Sequence, residues 1–193
     1  MKTKLIAAGL LLGLLNCETP ETPKNEIEVS LEQQLTQKNI DLMSDMELYL
    51  FSEELEKNLM DEESLEISRG LSVKLLETAQ KHLEKFPESE YRRELIRKGS
   101  RAAQGLGQDY EAIRLINIAI KDNKNDSTII DEMNLRAFLF DKMDNNKKAQ
   151  EAYEEIIALF PNHESVIMHK ERLKTLHLTE DELIKLFEEK NAK

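Results

Sequence analysis

The feature that most limits what this chain can fold into is a recurrence at 37 residues. The run Gly107, Gln108, Asp109, Tyr110, Glu111 and Ala112, with Ile116 and Ala119 after it, lines up with Asp144 through Ala149, then Tyr153 and Ile156. One period earlier stand Gly70, Leu75, Ala79 and His82. The outer two copies close on Phe86-Pro87 and Phe160-Pro161, and the middle copy has Asn123 and Lys124 there. Positions four and seven apart share one face of a helix, and a small residue such as Ala112 or Ala149 lets two helices approach closely. A proline then ends the helix. A period of this length predicts stacked supersecondary units whose core runs along the stack.

The segments AQEAYEEIIALFPNHE (Ala149 to Glu164) and GQDYEAIRLINIAI (Gly107 to Ile120) carry a small residue, an aromatic and a terminal proline in the order of the tetratricopeptide repeat. The chain from about Ser64 to Glu164 resembles that family, without its early Trp and with a longer period. The resemblance implies an all-α, tetratricopeptide-like array of helical hairpins (an α-solenoid). Repeat phase predicts paired helices at Met43 to Leu59 and Glu62 to Lys85, Glu90 to Gln104 and Tyr110 to Lys121, and Thr128 to Lys142 and Lys147 to Leu159. Asp109 and Asn146 are the expected N-caps. A helix follows at Glu164 to Leu176. A last one starts at Glu180 behind a Thr179/Glu182 capping box, with Leu183, Ile184, Leu186 and Phe187 covering the end of the stack. A shorter helix is expected at Ser30 to Gln37. Six Gly, four Pro and 34% charged residues agree with an all-helical chain.

The amino terminus reads as an address. Lys2 and Lys4 precede an apolar run from Leu5 to Leu15, too short to cross a bilayer core about 30 Å thick but suited to a secretory signal. The only cysteine, Cys17, follows at once. Leu14, Leu15, Asn16 and Cys17 resemble the lipobox of bacterial lipoproteins, with Asn16 where Gly, Ala or Ser is usual. That resemblance implies removal of residues 1–16, lipidation of Cys17 with fatty acyl chains such as palmitate, and membrane attachment. Residues 17–28 hold two Thr-Pro pairs and read as a tether, leaving 29–193 as the repeat domain. The ending LEKFPESEY (Leu83 to Tyr91) is similar to repeats of outer-membrane assembly lipoproteins and of periplasmic partners of the Tol-Pal system. The expected location is therefore the bacterial cell envelope, lipid-anchored, on the outer membrane at its periplasmic or surface side.

A formal charge of −11 argues against nucleic acid, which needs a basic stripe. Nothing marks out catalysis or a cofactor. His82, His163, His169 and His177 lack the i, i+4 spacing of a metal pair, so no metal is expected. Asp122 to Asp126 is a polar turn, with Lys124 where a calcium loop needs a ligand. Gly99, Gly105 and Gly107 suit packing and turns, and Glu84 and Glu94 have basic neighbours one helical turn away. The cluster Met46, Leu48, Tyr49, Leu50 and Phe51 is either the core of its helix or an exposed partner patch.

The function expected is a non-catalytic scaffold that offers a groove to an envelope protein or peptide. A fixed subunit of an outer-membrane or envelope assembly, or a self-associating array, is the alternative. Repeat phase puts Glu94, Arg97, Arg101 and Gln104 from one pair, and Asp131, Asn134, Phe138 and Asp141 from the next, on the groove. Arg97 and Arg101, two positive heads beside Phe138, suggest an acidic-aromatic partner segment.

Overall fold

The computed structural model describes residues 29–60, 66–123 and 126–191. The expected leader, Cys17 and the tether lie outside these residues, as do Lys124 and the side chain of Phe187. The described chain is all-helical: α1 (Leu31–Thr36), α2 (Asp45–Lys57), α3 (Arg69–Lys85), α4 (Arg92–Gly105), α5 (Asp109–Asp122), α6 (Ile130–Lys142), α7 (Asn146–Leu159), α8 (Ser165–Thr175) and α9 (Glu180–Asn191). A single 3-10 turn, Ser127–Ile129, leads into α6. The only extended pairing among the described residues is a bridge between Met60 and Ile67.

Local chemistry explains where the helices begin. Ser30 and Ser44 each close a capping box, with Gln33 and Glu47 reaching back to the cap. Ser68 caps α3 through its hydroxyl. Thr179 and Glu182 form the box expected before α9, the Thr179 hydroxyl accepting from the Glu182 amide and donating to its carboxylate. Two expected caps move by one residue. Asn145, not Asn146, accepts from the Lys148 amide at the start of α7. Gln108 takes the cap position of α5 with no side-chain bond, and Asp109, the first helical residue, pairs instead with Lys142 at 2.9 Å. The start of α3 also differs, at Arg69 rather than Glu62, with residues 61–65 outside those described.

The 37-residue recurrence is written into the backbone. Three helices end on a residue in the same broad conformation, Phe86 (φ −132°, ψ 64°), Asn123 (φ −133°, ψ 32°) and Phe160 (φ −129°, ψ 55°), so the middle copy ends alike without its Phe-Pro. The turns entering α5 and α7 match bond for bond. Gly107 and Asp144 are left-handed, at φ 75° and 54°. The amides of Gln108 and Asn145 donate back to the carbonyls of Ala103 and Phe140, at 2.8 and 2.9 Å. Glycine adopts this conformation freely, and aspartate is among the few other residues that tolerate it.

Consecutive helices pack on one another, α3 on α4, α4 on α5 and α6 on α7 most extensively. Their apolar stripes meet in one core that runs from Leu35 and Leu48 to Ile156 and Leu176. The first helix of each pair carries a small buried residue: Ser52 on α2, Gly99 on α4 and Ala137 on α6. At Gly99 the approach is close: a β-carbon there would stand 2.6 Å from the Ala79 β-carbon and 3.3 Å from Leu115. Ala112 and Ala149, the small residues of the repeat, are fully enclosed on α5 and α7.

The cluster near Met46 divides between both expected roles. Leu48 and Phe51 belong to the core, whereas Met46 and Leu50 are exposed. Tyr49 stacks on Tyr91, just ahead of α4, with ring centroids 4.4 Å apart.

Candidate binding groove

The first helices of the pairs, α2, α4 and α6, form a row that α8 extends. Lys98 of α4 reaches α2, where it pairs with Glu53 and, at 2.9 Å, with Glu56. At the far end α8 is tied to α6 twice. Arg172 grips Asp141 with two hydrogen bonds of 2.6 Å, and His169 meets the Asn134 amide oxygen at 2.7 Å. The second helices form the other row, linked through Gln80 to Glu111 and through Arg136, which reaches Asn117 on α5 and Glu155 on α7.

Two cavities open along the first row. One, about 340 Å³, lies between α4 and α6 and is lined by Arg97, Ser100, Arg101, Gln104, Asp131, Glu132 and Leu135. The other, about 470 Å³, lies between α6 and α8, lined mainly by carbon atoms from Leu135, Phe138, Tyr153 and Met168, with Asn134, Asp141, His169 and Arg172 at polar points. Leu135 is common to both, so the cavities are neighbours. Arg97, Arg101, Gln104 and Asp131 therefore stand in the first cavity, and Asn134, Phe138 and Asp141 in the second. Glu94 lies outside both, held by Arg97 on its own helix.

Phe138 is 50% exposed while its neighbour Leu139 is fully buried, so the aromatic ring faces the cavity and not the core. Tyr153, Met168, His169 and Arg172 are residues that repeat phase does not place here. Tyr153 enters from α7, and the other three enter because α8 joins the row; His169 sits 35 residues after its partner Asn134, a spacing the 37-residue phase does not reach.

The charges in the groove are largely spent on one another. Arg97 donates to Glu94 at 3.0 Å and approaches Glu56 at 3.8 Å, so its positive head is already engaged within the fold. Its hydrogen bonds hold the Glu94 carboxyl below the usual range. Arg101 is exposed and makes no ion pair or hydrogen bond with the described residues. Asp141 is held below the usual aspartate range by the hydrogen bonds from Arg172, which outweigh its burial, and Tyr153 donates to it at 3.1 Å. Burial first, and then the charge of Asp141, push the Tyr153 hydroxyl up to about 12. Lys98 is buried, and burial works hardest against its charge. Its hydrogen bonds to Glu53 and Glu56 nevertheless raise it above the ordinary lysine value.

The groove carboxyls Glu94 and Asp141 are both held down by their arginine partners, which keeps them charged. Carboxylates of Glu53, Glu56 and Glu94 converge within 4.8 Å, a spacing that could hold a cation. The Lys98 ammonium and the Arg97 guanidinium already offset two of the three negative charges of that cluster.

The histidines are partners within the fold. His82 is buried against Asp45 at 2.7 Å, His163 meets Ser165, and His177 meets Gln150. The carboxylates at the ends of the polar turn after α5 are also engaged. Asp122 pairs with Arg92 at 2.9 Å, and Asp126 pairs with Arg93 and caps the 3-10 turn.

The surface offered by the row is thus an apolar pocket with an exposed aromatic, beside a polar cavity of mixed charge. Such a surface suits side chains of a bound segment. Comparison of the chain with protein-family models, with curated proteins and with solved structures finds no match.

Proposed function

We propose that this protein is a lipid-anchored, tetratricopeptide-like scaffold of the bacterial envelope that binds a segment of another envelope protein along the row α4, α6 and α8. The observation that carries the reading is the exposed ring of Phe138 in an apolar cavity walled by Leu135, Tyr153 and Met168. An aromatic exposed in a pocket costs solvation that a partner's apolar side chain recovers. Supporting it are the matched turns at Gly107 and Asp144, the pattern expected of a hairpin array whose first helices line a concave face. In this reading α9 is the closing helix through Leu183 and Leu186, which are half-buried, whereas Ile184, expected to cover the stack with them, is exposed.

A second reading, a fixed subunit of an envelope assembly or a self-associating array, is favoured by one feature. Ile167 and Met168, both on α8, are 74% and 64% exposed.

Anchor and groove are tested together in the native envelope. Cys17→Ser removes the lipid site and is expected to release the chain from membranes, while Phe138→Ala keeps the anchor and is expected to lose crosslinked partners with helicity unchanged. A wild type that takes no fatty-acid label and fractionates as soluble contradicts the anchor. A Phe138→Ala variant that captures the same partners as the wild type contradicts the groove.

A further inference from the structure

The cavity between α4 and α6 holds two carboxylates without an ion pair among the described residues, Asp131 and Glu132, and one such cation, Arg101, although the charge of Glu132 also acts on Arg97. Of its two arginines, Arg97 is committed to Glu94 and Glu56, which leaves Arg101. Against Arg101 stand two carboxylates of α6. Asp131 is exposed and makes no ion pair with the described residues. Glu132 is only 5% exposed, and its Oε2 has no hydrogen-bond partner among them. A buried carboxylate oxygen left without a donor is costly, and a ligand that supplies the donor recovers that cost on binding. An anionic group entering here would meet Asp131 and Glu132 inside a chain of net charge −11. A cationic group is drawn in by the same field.

The neighbouring wall sets what lies next to that cation. Leu135, one helical turn from both Asp131 and Glu132, also bounds the apolar cavity of Phe138 and Met168. A side chain beside the cation in the same segment therefore reaches carbon, not charge.

We infer that the groove takes a basic-apolar segment of a partner protein. A lysine or arginine sits between Asp131 and Glu132, and a nearby bulky apolar side chain packs against Phe138. Arg101 is left to receive a backbone carbonyl of the segment. This inference rests on the scaffold reading above and reverses the acidic-aromatic segment that the sequence suggests, because Arg97 is already paired while a Glu132 oxygen has no donor.

The test uses the full chain in detergent and fluorescence anisotropy with labelled Gly-Ser peptides carrying one Phe and one Lys at varied separations. Matched peptides carry Gln or Glu in place of Lys. Lys-Phe peptides are expected to bind about tenfold or more tighter than Glu-Phe peptides at one preferred separation. Glu132→Gln and Asp131→Asn should each bring the preference for Lys over Gln toward unity, and Phe138→Ala should weaken all peptides. Asp131 is on the surface, so its change tests the idea even if the buried one disturbs folding. Equal or tighter binding of Glu-Phe peptides, an unaltered Lys preference in both variants, or no binding by any peptide overturns the inference. The scaffold reading is judged separately, since envelope partners captured through Phe138 would persist while the basic-apolar preference failed.

Discussion

Gly99, Gly105 and Gly107 should respond to alanine with different signs, and the difference follows from what surrounds each. At Gly99 the new β-carbon would lie 2.6 Å from that of Ala79, against an ordinary carbon contact of about 3.5 to 4.0 Å. Moving α4 away from α3 is opposed by Leu115 of α5, already 3.3 Å from the same point. Overpacking of this kind costs about 1 to 3 kcal/mol. Alanine returns about 0.8 to 1.0 kcal/mol of helix propensity, so the net is a loss of up to about 2 kcal/mol. Gly105 ends the same helix with nothing within 4 Å, so alanine there should gain some tenths to about 1 kcal/mol. Gly107, at φ 75°, should lose about 1 to 2 kcal/mol through backbone strain alone. Thermal unfolding by circular dichroism reads these differences, at about 2 to 4 °C per kcal/mol for a chain of this size. Ala79→Gly should rescue Gly99→Ala and not Gly107→Ala. If Gly99→Ala is as stable as Gly105→Ala, the close crossing of α3 and α4 is wrong.

Two further outcomes concern the buried charges. Lys98→Met leaves Glu53, Glu56 and Glu94 facing one another, and should destabilise by about 1 to 3 kcal/mol, less than a fully buried pair because the carboxylates are partly hydrated. Adding Glu53→Gln should recover much of that loss in a urea titration, and no recovery would refute the network. Burial, and then the charge of His163, lower His169 below its ordinary 6.5 and favour the neutral ring in the fold. Its contribution is therefore present above pH 6.5 and declines as pH falls toward the lowered value, where the unfolded chain holds the proton more tightly. His169→Gln should flatten the dependence of melting temperature on pH from about 7.5 down to about 5.5, and an unchanged slope would place the titrating group elsewhere.

The sequence is most informative where a single spacing repeats. Helices α4 to α7 follow from the 37-residue phase because the same turn recurs at Gly107 and Asp144, each bond of it set by backbone and not by side chain. The caps are less legible. Gln108-Asp109 begins α5 and Asn145-Asn146 begins α7, and which residue is the last outside the helix depends on the left-handed residue before it rather than on side-chain type. The Glu94–Arg97 pair is visible as a helical i, i+3 spacing, yet its consequence, that Arg97 is no longer a free cation, appears only once the helices are packed and Glu56 comes alongside. The role of α8 is hidden because the spacing shortens there. Only the pairing of His169 with Asn134 and of Arg172 with Asp141 brings the second wall of the apolar cavity into view.

The central claim is that partners bind along the row formed by α4, α6 and α8 and not on the outer row. A photocrosslinking residue placed at Phe138, and at Arg114 on the exposed side of α5 as the comparison, tests this in membranes with the lipid anchor in place. The predicted result is a discrete crosslinked product from position 138 that disappears with Asp131→Asn and Glu132→Gln together, and little or none from position 114. Equal products from both positions, or products from position 114 alone, would contradict it.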